Sequence, residues 1–161
     1  MTRARRITAA FGISDATWAR HANPWAGWAR LTIQPLVALA FWSPLWIGKW
    51  GLVAIGAAFA WALLNPRIFS PPRRWDAWMT RGVLGERLWR ERATTPVLVH
   101  HRLAPGILDG TATVGTLVAT YGVLRASASA TLAGLAIATI AKLLFIDRMV
   151  RLHQDMTKER E

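Results

Sequence analysis

Residues 110–141 read GTATVGTLVATYGVLRASASATLAGLAIATIA, and Arg125 is their single charged side chain. A second apolar block, residues 31–64, carries the single charge Lys49. One membrane helix needs only about 20 apolar residues, so each block is long enough for two helices joined by a turn at its cation. The sequence therefore predicts an all-α membrane protein with four transmembrane helices in two hairpins.

The composition of the whole chain supports this class. Of the 161 residues, 53% are hydrophobic and ten are tryptophan, which exceeds ordinary soluble usage. The chain has no cysteine, so disulfides, thiolate metal sites and cysteine nucleophiles are excluded. A net charge of +11 fits either nucleic acid or an anionic lipid surface. Because the cations flank apolar blocks, we expect anionic lipid headgroups and no nucleic acid.

Lysine and arginine are concentrated outside the two blocks. Residues 1–30 carry five arginines and residues 65–106 carry eight, whereas each predicted turn carries one cation. The positive-inside rule then predicts a multi-pass protein of the inner (cytoplasmic) membrane with both termini in the cytoplasm. The single membrane domain divides into a cytoplasmic N-terminal surface helix (1–26), a first hairpin (27–64), a basic, Trp-rich interfacial segment (65–106), a second hairpin (107–146) and a cytoplasmic tail (147–161).

The eleven-residue stretch RHANPWAGWAR precedes the first block. A residue before proline is pushed out of the helical region, so Asn23 is expected to end one helix. Asn23 can also cap the next helix, with Pro24 at its first position. His21 then lies at an elbow between a surface helix and the first span. Trp25 suits the membrane interface and Arg30 the cytoplasmic side.

The limits of the first two spans follow from their prolines. Pro35 predicts a kink in the first span. The second span begins either at Ser43 or after an interfacial loop that runs through Trp50. The Asn65-Pro66 pair is expected to close it.

The central segment is predicted to contain two short helices. Tryptophan and methionine recur at helical spacing over residues 75–79, and the first helix ends at Gly82. The second runs from Val83 to Arg92, and the glycines between them mark the break. Each has tryptophan on one side and arginine on the other, which is typical of interfacial helices. The expected four-residue ion pairs are Glu86 with Arg90 and Arg87 with Glu91.

Small residues recur through the second hairpin at spacings that permit close helix packing in lipid. The two expected faces are Gly110, Gly115, Ala119 and Gly122 against Ala126, Ala130, Gly134 and Ala138. Asp109 and Lys142 lie at similar distances from the turn, which predicts an ion pair near the cytoplasmic boundary. The pair could simply lock the hairpin. It could also mark a functional site, because charged residues inside membranes often have functional roles.

Four histidines fall on the predicted cytoplasmic side, and none forms a close-spaced ligand motif. His21 could converge with His100 or His101, and Glu86 or Asp76 could supply a carboxylate. Two histidines and one carboxylate suit iron or zinc. In the alternative interpretation His21 only stabilises the elbow and the His100-His101 pair belongs to a basic, lipid-facing strip.

Two functional hypotheses follow. The first is a lipid-binding or accessory membrane protein that assembles with another membrane protein or with itself. The second is a membrane-embedded, metal-dependent enzyme acting on a lipid or other amphipathic substrate through His21 and His100 or His101. The chain contains no nucleophile elbow, phosphate-binding loop or dinucleotide fingerprint. A transporter is disfavoured because only Asp109 and Lys142 could serve a polar pathway.

Three motifs carry a resemblance to a known family. They are FGxSDxTWARHANPW from Phe11 to Trp25, LNPRxF from Leu64 to Phe69, and RGVLGERxW from Arg81 to Trp89. Together they resemble an uncharacterised family of small bacterial and archaeal membrane proteins, a domain of unknown function. The resemblance implies a membrane location and no known activity.

The opening of the first span is also similar to that of the 2-hydroxy fatty acid dioxygenases, four-span iron proteins of lipid degradation. The similarity rests on His21-x-Asn23-Pro24 followed by Pro35. That family would place a second histidine at Arg30 and an asparagine at Ala26, so this chain departs from its pattern at both positions. The shared design is a histidine elbow that opens a two-hairpin bundle.

Overall fold

The computed structural model describes residues 15–94 and 96–158, and every regular element in that part of the chain is a helix. The first 14 residues, with the basic N-terminal stretch and Ser14, lie outside it. The helices are α1 (Asp15–His21), α2 (Pro24–Leu31), α3 (Ile33–Trp42), α4 (Pro44–Ile47), α5 (Gly51–Ile68), α6 (Trp78–Arg90), α7 (Ala104–Leu124) and α8 (Ala128–Lys158), with 3-10 turns at Gly48–Trp50 and Val99–His101.

Three helical segments are long and apolar enough to cross a membrane: Pro24–Asn65, Val99–Leu124 and Ala128–Lys158. The all-helical class is therefore confirmed, and three segments are candidate membrane spans. Many large apolar side chains along these segments point away from the protein. Examples are Leu36, Leu39, Phe59, Leu63, Val114, Leu117, Leu132, Ile140 and Leu144.

The first candidate segment folds back on itself. The indole nitrogen of Trp61 donates to the Thr32 hydroxyl at 3.2 Å. The rings of Phe41 and Phe59 meet edge to face, with centroids 6.2 Å apart. These contacts pack α3 against α5, so the segment of 42 residues consists of two legs joined by α4 and a 3-10 turn.

Proline explains the limits of both legs. The helix breaks at Thr32, one turn before Pro35, because a proline cannot bond to the carbonyl four residues earlier and crowds it. The kink expected from Pro35 is confirmed. Of the two expected starts of the second span, the structure has the later one. A connection runs through Trp50, and α5 begins at Gly51. The candidate span ends at Asn65, as expected, although the helix α5 itself continues to Ile68.

The helices α7 and α8 form a closely packed hairpin. A β-carbon at Gly115, Gly122 or Gly134 would overlap atoms of the opposite helix. The neighbours at these points include Ala119, Ala130, Gly134 and Ala138, so the predicted small-residue seam is confirmed over this length. Gly110 lies outside the seam, because a β-carbon added there would meet no atom of another helix within 4 Å.

The central segment contains one long helix, α6, in place of the two predicted short ones. Gly82 and Gly85 do not break it, because both lie where α6 packs against α8. Gly82 faces Ile146, and Gly85 lies against the backbone of Met149. The middle of α6 is consequently buried against another helix. The main core forms at this junction from Met79, Val97, Phe145, Ile146, Met149, Leu152 and Met156.

The expected cytoplasmic tail is a direct extension of α8. At 1.5 Å per residue, the 31 residues of α8 extend about 46 Å, which exceeds a hydrocarbon core of about 30 Å. Apolar side chains continue at helical spacing through Met156 and pack against α6. The charged residues from Asp147 to Lys158 lie on this extension.

The turns of the two legs and of the hairpin lie at the same end of the molecule. Gln34 of α3 donates to the Thr116 hydroxyl of α7 at 2.8 Å. Near the ends of these helices, Phe41 and Leu124 line one groove. Because α3 and α7 thus run side by side in the same direction, Lys49 and Arg125 occupy one end, opposite the core around Met149.

Candidate functional site

The elbow before the first candidate span is fixed by three hydrogen bonds. Asn23 caps α2 by accepting from the Trp25 backbone at 2.9 Å, and its amide donates to the Ser70 carbonyl at 2.8 Å. The buried Thr80 hydroxyl donates to the Ala22 carbonyl at 2.7 Å. The predicted cap at Asn23 and first position at Pro24 are confirmed. The cap also ties the elbow to the segments before and within α6.

His21 ends α1 beside this elbow. Its carbonyl accepts a hydrogen bond from the Arg30 guanidinium at 3.2 Å, and its ring is tilted against Trp18 at a centroid distance of 6.4 Å. Arg30 therefore holds the end of α1 to α2. Trp25 is largely exposed, as a side chain at a membrane interface would be.

A cavity of about 390 Å³ opens between α2, α3, α6, α7 and α8. Three cations and one carboxylate line it, which leaves two positive charges in excess. Around them are apolar walls and a few neutral polar groups. The charged lining residues are Arg30, Glu86, Arg90 and Lys142, and the others include Gly27, Gln34, Met79, Gly82, Thr139 and Ile146.

The charges in this cavity are unequally balanced. Glu86 accepts from Arg90 at 2.6 Å, and Arg87 bonds to Glu91 at 3.3 Å, so both predicted four-residue pairs are confirmed. The Lys142 ammonium instead lies 4.4 Å from the centroid of the Phe145 ring. Within the described residues, no carboxylate lies within ion-pair distance of Lys142.

The predicted pair between Asp109 and Lys142 is therefore wrong. The two residues do lie at similar depth, but they face different directions around their helices. On α7 the seam passes through Gly115 and reaches Leu108, which packs against the core. Asp109 follows Leu108 in the helix, so it points to a different side of α7 and is exposed. Lys142 on α8 lines the cavity.

An apolar groove of about 260 Å³ adjoins the cavity. It lies between α3 and α7, and Ile33 and Gln34 line both spaces. The remaining lining is mostly apolar, with two threonines. The other residues are Val37, Ala38, Phe41, Thr116, Ala119, Thr120, Val123, Leu124 and Leu135.

A second cluster of functional groups lies where the loop before α7 meets the extension of α8. His101 is buried with 1% exposure, and its Nε2 lies 2.9 Å from Oδ2 of Asp155. The Nε2 of His100 lies 3.5 Å from the same oxygen. The two imidazole centroids are 4.2 Å apart. Two histidines and one carboxylate thus converge on one point.

This cluster differs from the predicted ligand set. His100 and His101 are members, but their carboxylate is Asp155, while Glu86 is engaged with Arg90 and Asp76 is exposed on the linker before α6. His21 belongs to no group of metal-ligand side chains within the described residues. The hypothesis of an enzyme that uses His21 and Glu86 as ligands consequently loses its site.

A model of a family of unknown function, DUF6653, matches residues 2–161. The chain belongs to this family. No curated protein and no solved structure matches it. Membership of DUF6653 confirms the resemblance to an uncharacterised family, and the similarity to the 2-hydroxy fatty acid dioxygenases gains nothing from these comparisons.

Asp155 of this DUF6653 chain is not among the ligands predicted from the sequence, because residues 147–161 are there assigned to a cytoplasmic tail. One signal in the sequence does point to it. Phe145, Met149, Leu152 and Met156 continue the apolar spacing of a packed helix beyond the membrane block. A helix extended in this way carries Asp155 alongside the loop that leads into α7.

Proposed function

We propose that this DUF6653 protein is a four-span protein of the inner membrane that binds an anionic lipid between its two hairpins. The observation that carries the proposal is the junction of the cationic cavity with the apolar groove at Ile33 and Gln34. An amphipathic anion likewise consists of a negatively charged headgroup followed by an apolar chain. Its headgroup would occupy the cavity and an acyl chain would lie in the groove.

The charge distribution supports the four-span arrangement. Lys49 and Arg125 are the cations of the two turns, which share one end of the molecule. The arginines of α6 and the charged extension of α8 lie at the opposite end. By the positive-inside rule, the basic end faces the cytoplasm and the two turns face the other side.

The headgroup would be held mainly by unbalanced positive charge. Arg90 is partly neutralised by Glu86, and Arg30 is engaged with the His21 carbonyl. Lys142 lies 4.4 Å from the centroid of the Phe145 ring, and no carboxylate among the described residues forms an ion pair with it. A phosphate oxygen beside it would form a charge-assisted hydrogen bond, which is stronger than one between neutral groups.

Lipid titration of the purified protein in a neutral detergent tests this proposal. Binding of phosphatidylglycerol is compared with that of phosphatidylcholine for the wild type and for Lys142→Gln. We expect wild-type protein to prefer the anionic lipid. One cation near an anionic lipid is worth about 1 kcal/mol, so the variant should lose about fivefold in phosphatidylglycerol affinity.

The matched control is Arg74→Gln, which removes the same charge from an exposed position on the linker outside the cavity. Arg74→Gln should leave the affinity within about twofold of wild type. Equal losses in the two variants would mean that the basic surface attracts lipid diffusely and that the cavity is not the site. Equal affinity for the two lipids would reject anionic lipid as the ligand.

A further inference from the structure

The cluster of His100, His101 and Asp155 has no part in the lipid site. We propose that these three side chains bind a divalent transition-metal ion of the zinc or iron(II) class. The ion would join the loop before α7 to the extension of α8. This inference is independent of the proposed lipid binding, because none of the three residues lines the cationic cavity or the groove.

The ligand atoms already have spacings suited to a small metal ion. One atom from each residue lies within 4.8 Å of the others. Oδ2 of Asp155 is 2.9 Å from one Nε2 and 3.5 Å from the other. Around a tetrahedral ion with bonds of about 2.0 to 2.2 Å, ligand atoms are about 3.3 Å apart. The two distances to Oδ2 bracket this value and the third pair of ligand atoms lies within 4.8 Å, so side-chain movements would complete the site.

The nitrogen and oxygen ligand atoms of the cluster favour transition-metal ions over magnesium and calcium. Imidazole nitrogen suits zinc, iron and related metals, and one carboxylate completes a set of two histidines and one acid. Magnesium and calcium prefer sites made entirely of oxygen, so they fit this cluster poorly. Three protein ligands leave at least one position for water. The carboxylate also offsets part of the charge of the ion.

The scaffold holds two of the ligands in place before an ion arrives. His101 is almost completely buried on the 3-10 turn at Val99–His101, and Asp155 lies between the core residues Leu152 and Met156 on α8. His100 is 61% exposed, so the cluster is open to solvent from its side. The third ligand can therefore close over an incoming ion.

The hydrogen bond between His101 and Asp155 is compatible with a site that binds and releases a metal ion. Nε2 of His101 and Oδ2 of Asp155, the two atoms that would bind the ion, form a hydrogen bond of 2.9 Å. The Nδ1 atom of the same ring is buried without a hydrogen-bond partner among the described residues. A metal ion bound through Nε2 would replace the hydrogen bond to Asp155, and the ring would then carry its hydrogen on Nδ1.

A cobalt(II) titration of the full chain tests the proposal. The protein is purified in detergent without a polyhistidine tag, stripped with a chelator and titrated while visible absorption is recorded, and zinc and iron(II) are then tested as competitors. We expect one ion per chain and a spectrum typical of mixed nitrogen and oxygen ligands. His100→Gln and Asp155→Asn should each weaken binding by about tenfold or more, while magnesium should not compete.

The variant His100→Gln guards against a folding artefact because it changes an exposed side chain. His21→Gln and His153→Gln are matched controls that remove one imidazole outside the cluster, and both should bind as the wild type does. Lys142→Gln should also bind the metal, which keeps this test separate from that of the lipid site. Binding that is absent, that survives both cluster variants, or that is lost in His21→Gln would overturn the assignment.

Discussion

Gly85 of α6 lies directly against the backbone carbonyl of Met149 on α8, where a β-carbon would overlap the oxygen. We therefore expect Gly85→Ala to force the two helices apart and to lower the free energy of unfolding by about 1 to 3 kcal/mol. Thermal unfolding in detergent, followed by circular dichroism, measures the change. Gly56→Ala is the control, because a β-carbon there would meet no atom of another described element within 4 Å, and alanine in an open helix site stabilises slightly. Equal melting temperatures for the two variants would contradict the close packing.

The hydrogen bond from Thr80 to the Ala22 carbonyl predicts a second stability effect. Thr80→Val keeps the shape of the side chain but leaves a buried carbonyl without its donor, which costs about 1 to 3 kcal/mol. Thr94→Val removes a hydroxyl that bonds to the Glu91 carbonyl on the surface, and it should cost less than about 0.5 kcal/mol. Chemical denaturation of both variants gives the comparison. A small loss at Thr80 would show that the elbow does not depend on α6.

The proposed topology can be measured cleanly because the chain contains no cysteine. Lys49→Cys, Arg125→Cys and Lys158→Cys each introduce one thiol. In intact cells, a membrane-impermeant maleimide should label the first two and leave the third unlabelled until the membrane is opened. Labelling of Lys158→Cys in intact cells would reverse the assigned orientation. Labelling at only one of the two turns would exclude four spans.

Glu86 should weaken anionic-lipid binding in the wild type, since its carboxylate offsets Arg90 inside the cavity. Glu86→Gln should therefore raise the affinity for phosphatidylglycerol by about fivefold, the reverse of the effect expected at Lys142. Glu91→Gln removes the same charge from a pair outside the cavity and should change the affinity little. Lipid titration under the conditions used for Lys142→Gln checks both. A gain of the same size in both variants would indicate a general effect of net charge.

Local chemistry is sufficient to predict several features from the sequence. The cap at Asn23, the break caused by Pro35 and the seam through Gly115 each depend on residues close together in the chain or on a regular spacing. The glycines of α6 mislead because glycine lowers helix propensity locally but permits close packing when another helix lies against it. Only the position of Met149 distinguishes the two cases.

The candidate sites are harder to predict because they depend on rotation about long helices. Lys142 and Asp109 lie at similar depths, yet one faces the cavity and the other is exposed. His101 and Asp155 are 54 residues apart, and they meet only because α8 continues beyond the membrane block. The sequence indicates that two histidines and a carboxylate are available for a metal site. Which carboxylate meets the histidines depends on where the turn before α7 lies along the extension of α8.

The extension of α8 has a consequence for how the protein is made. The apolar face around Met79 on α6 is covered by residues 145–156, which are synthesised only after α7 and the first half of α8. During synthesis, α7 and the first half of α8 are therefore made while that face has no partner. Assembly of the core therefore waits for the second half of α8, and a chain that stops before Phe145 would present its uncovered surface to the quality-control proteases of the cell.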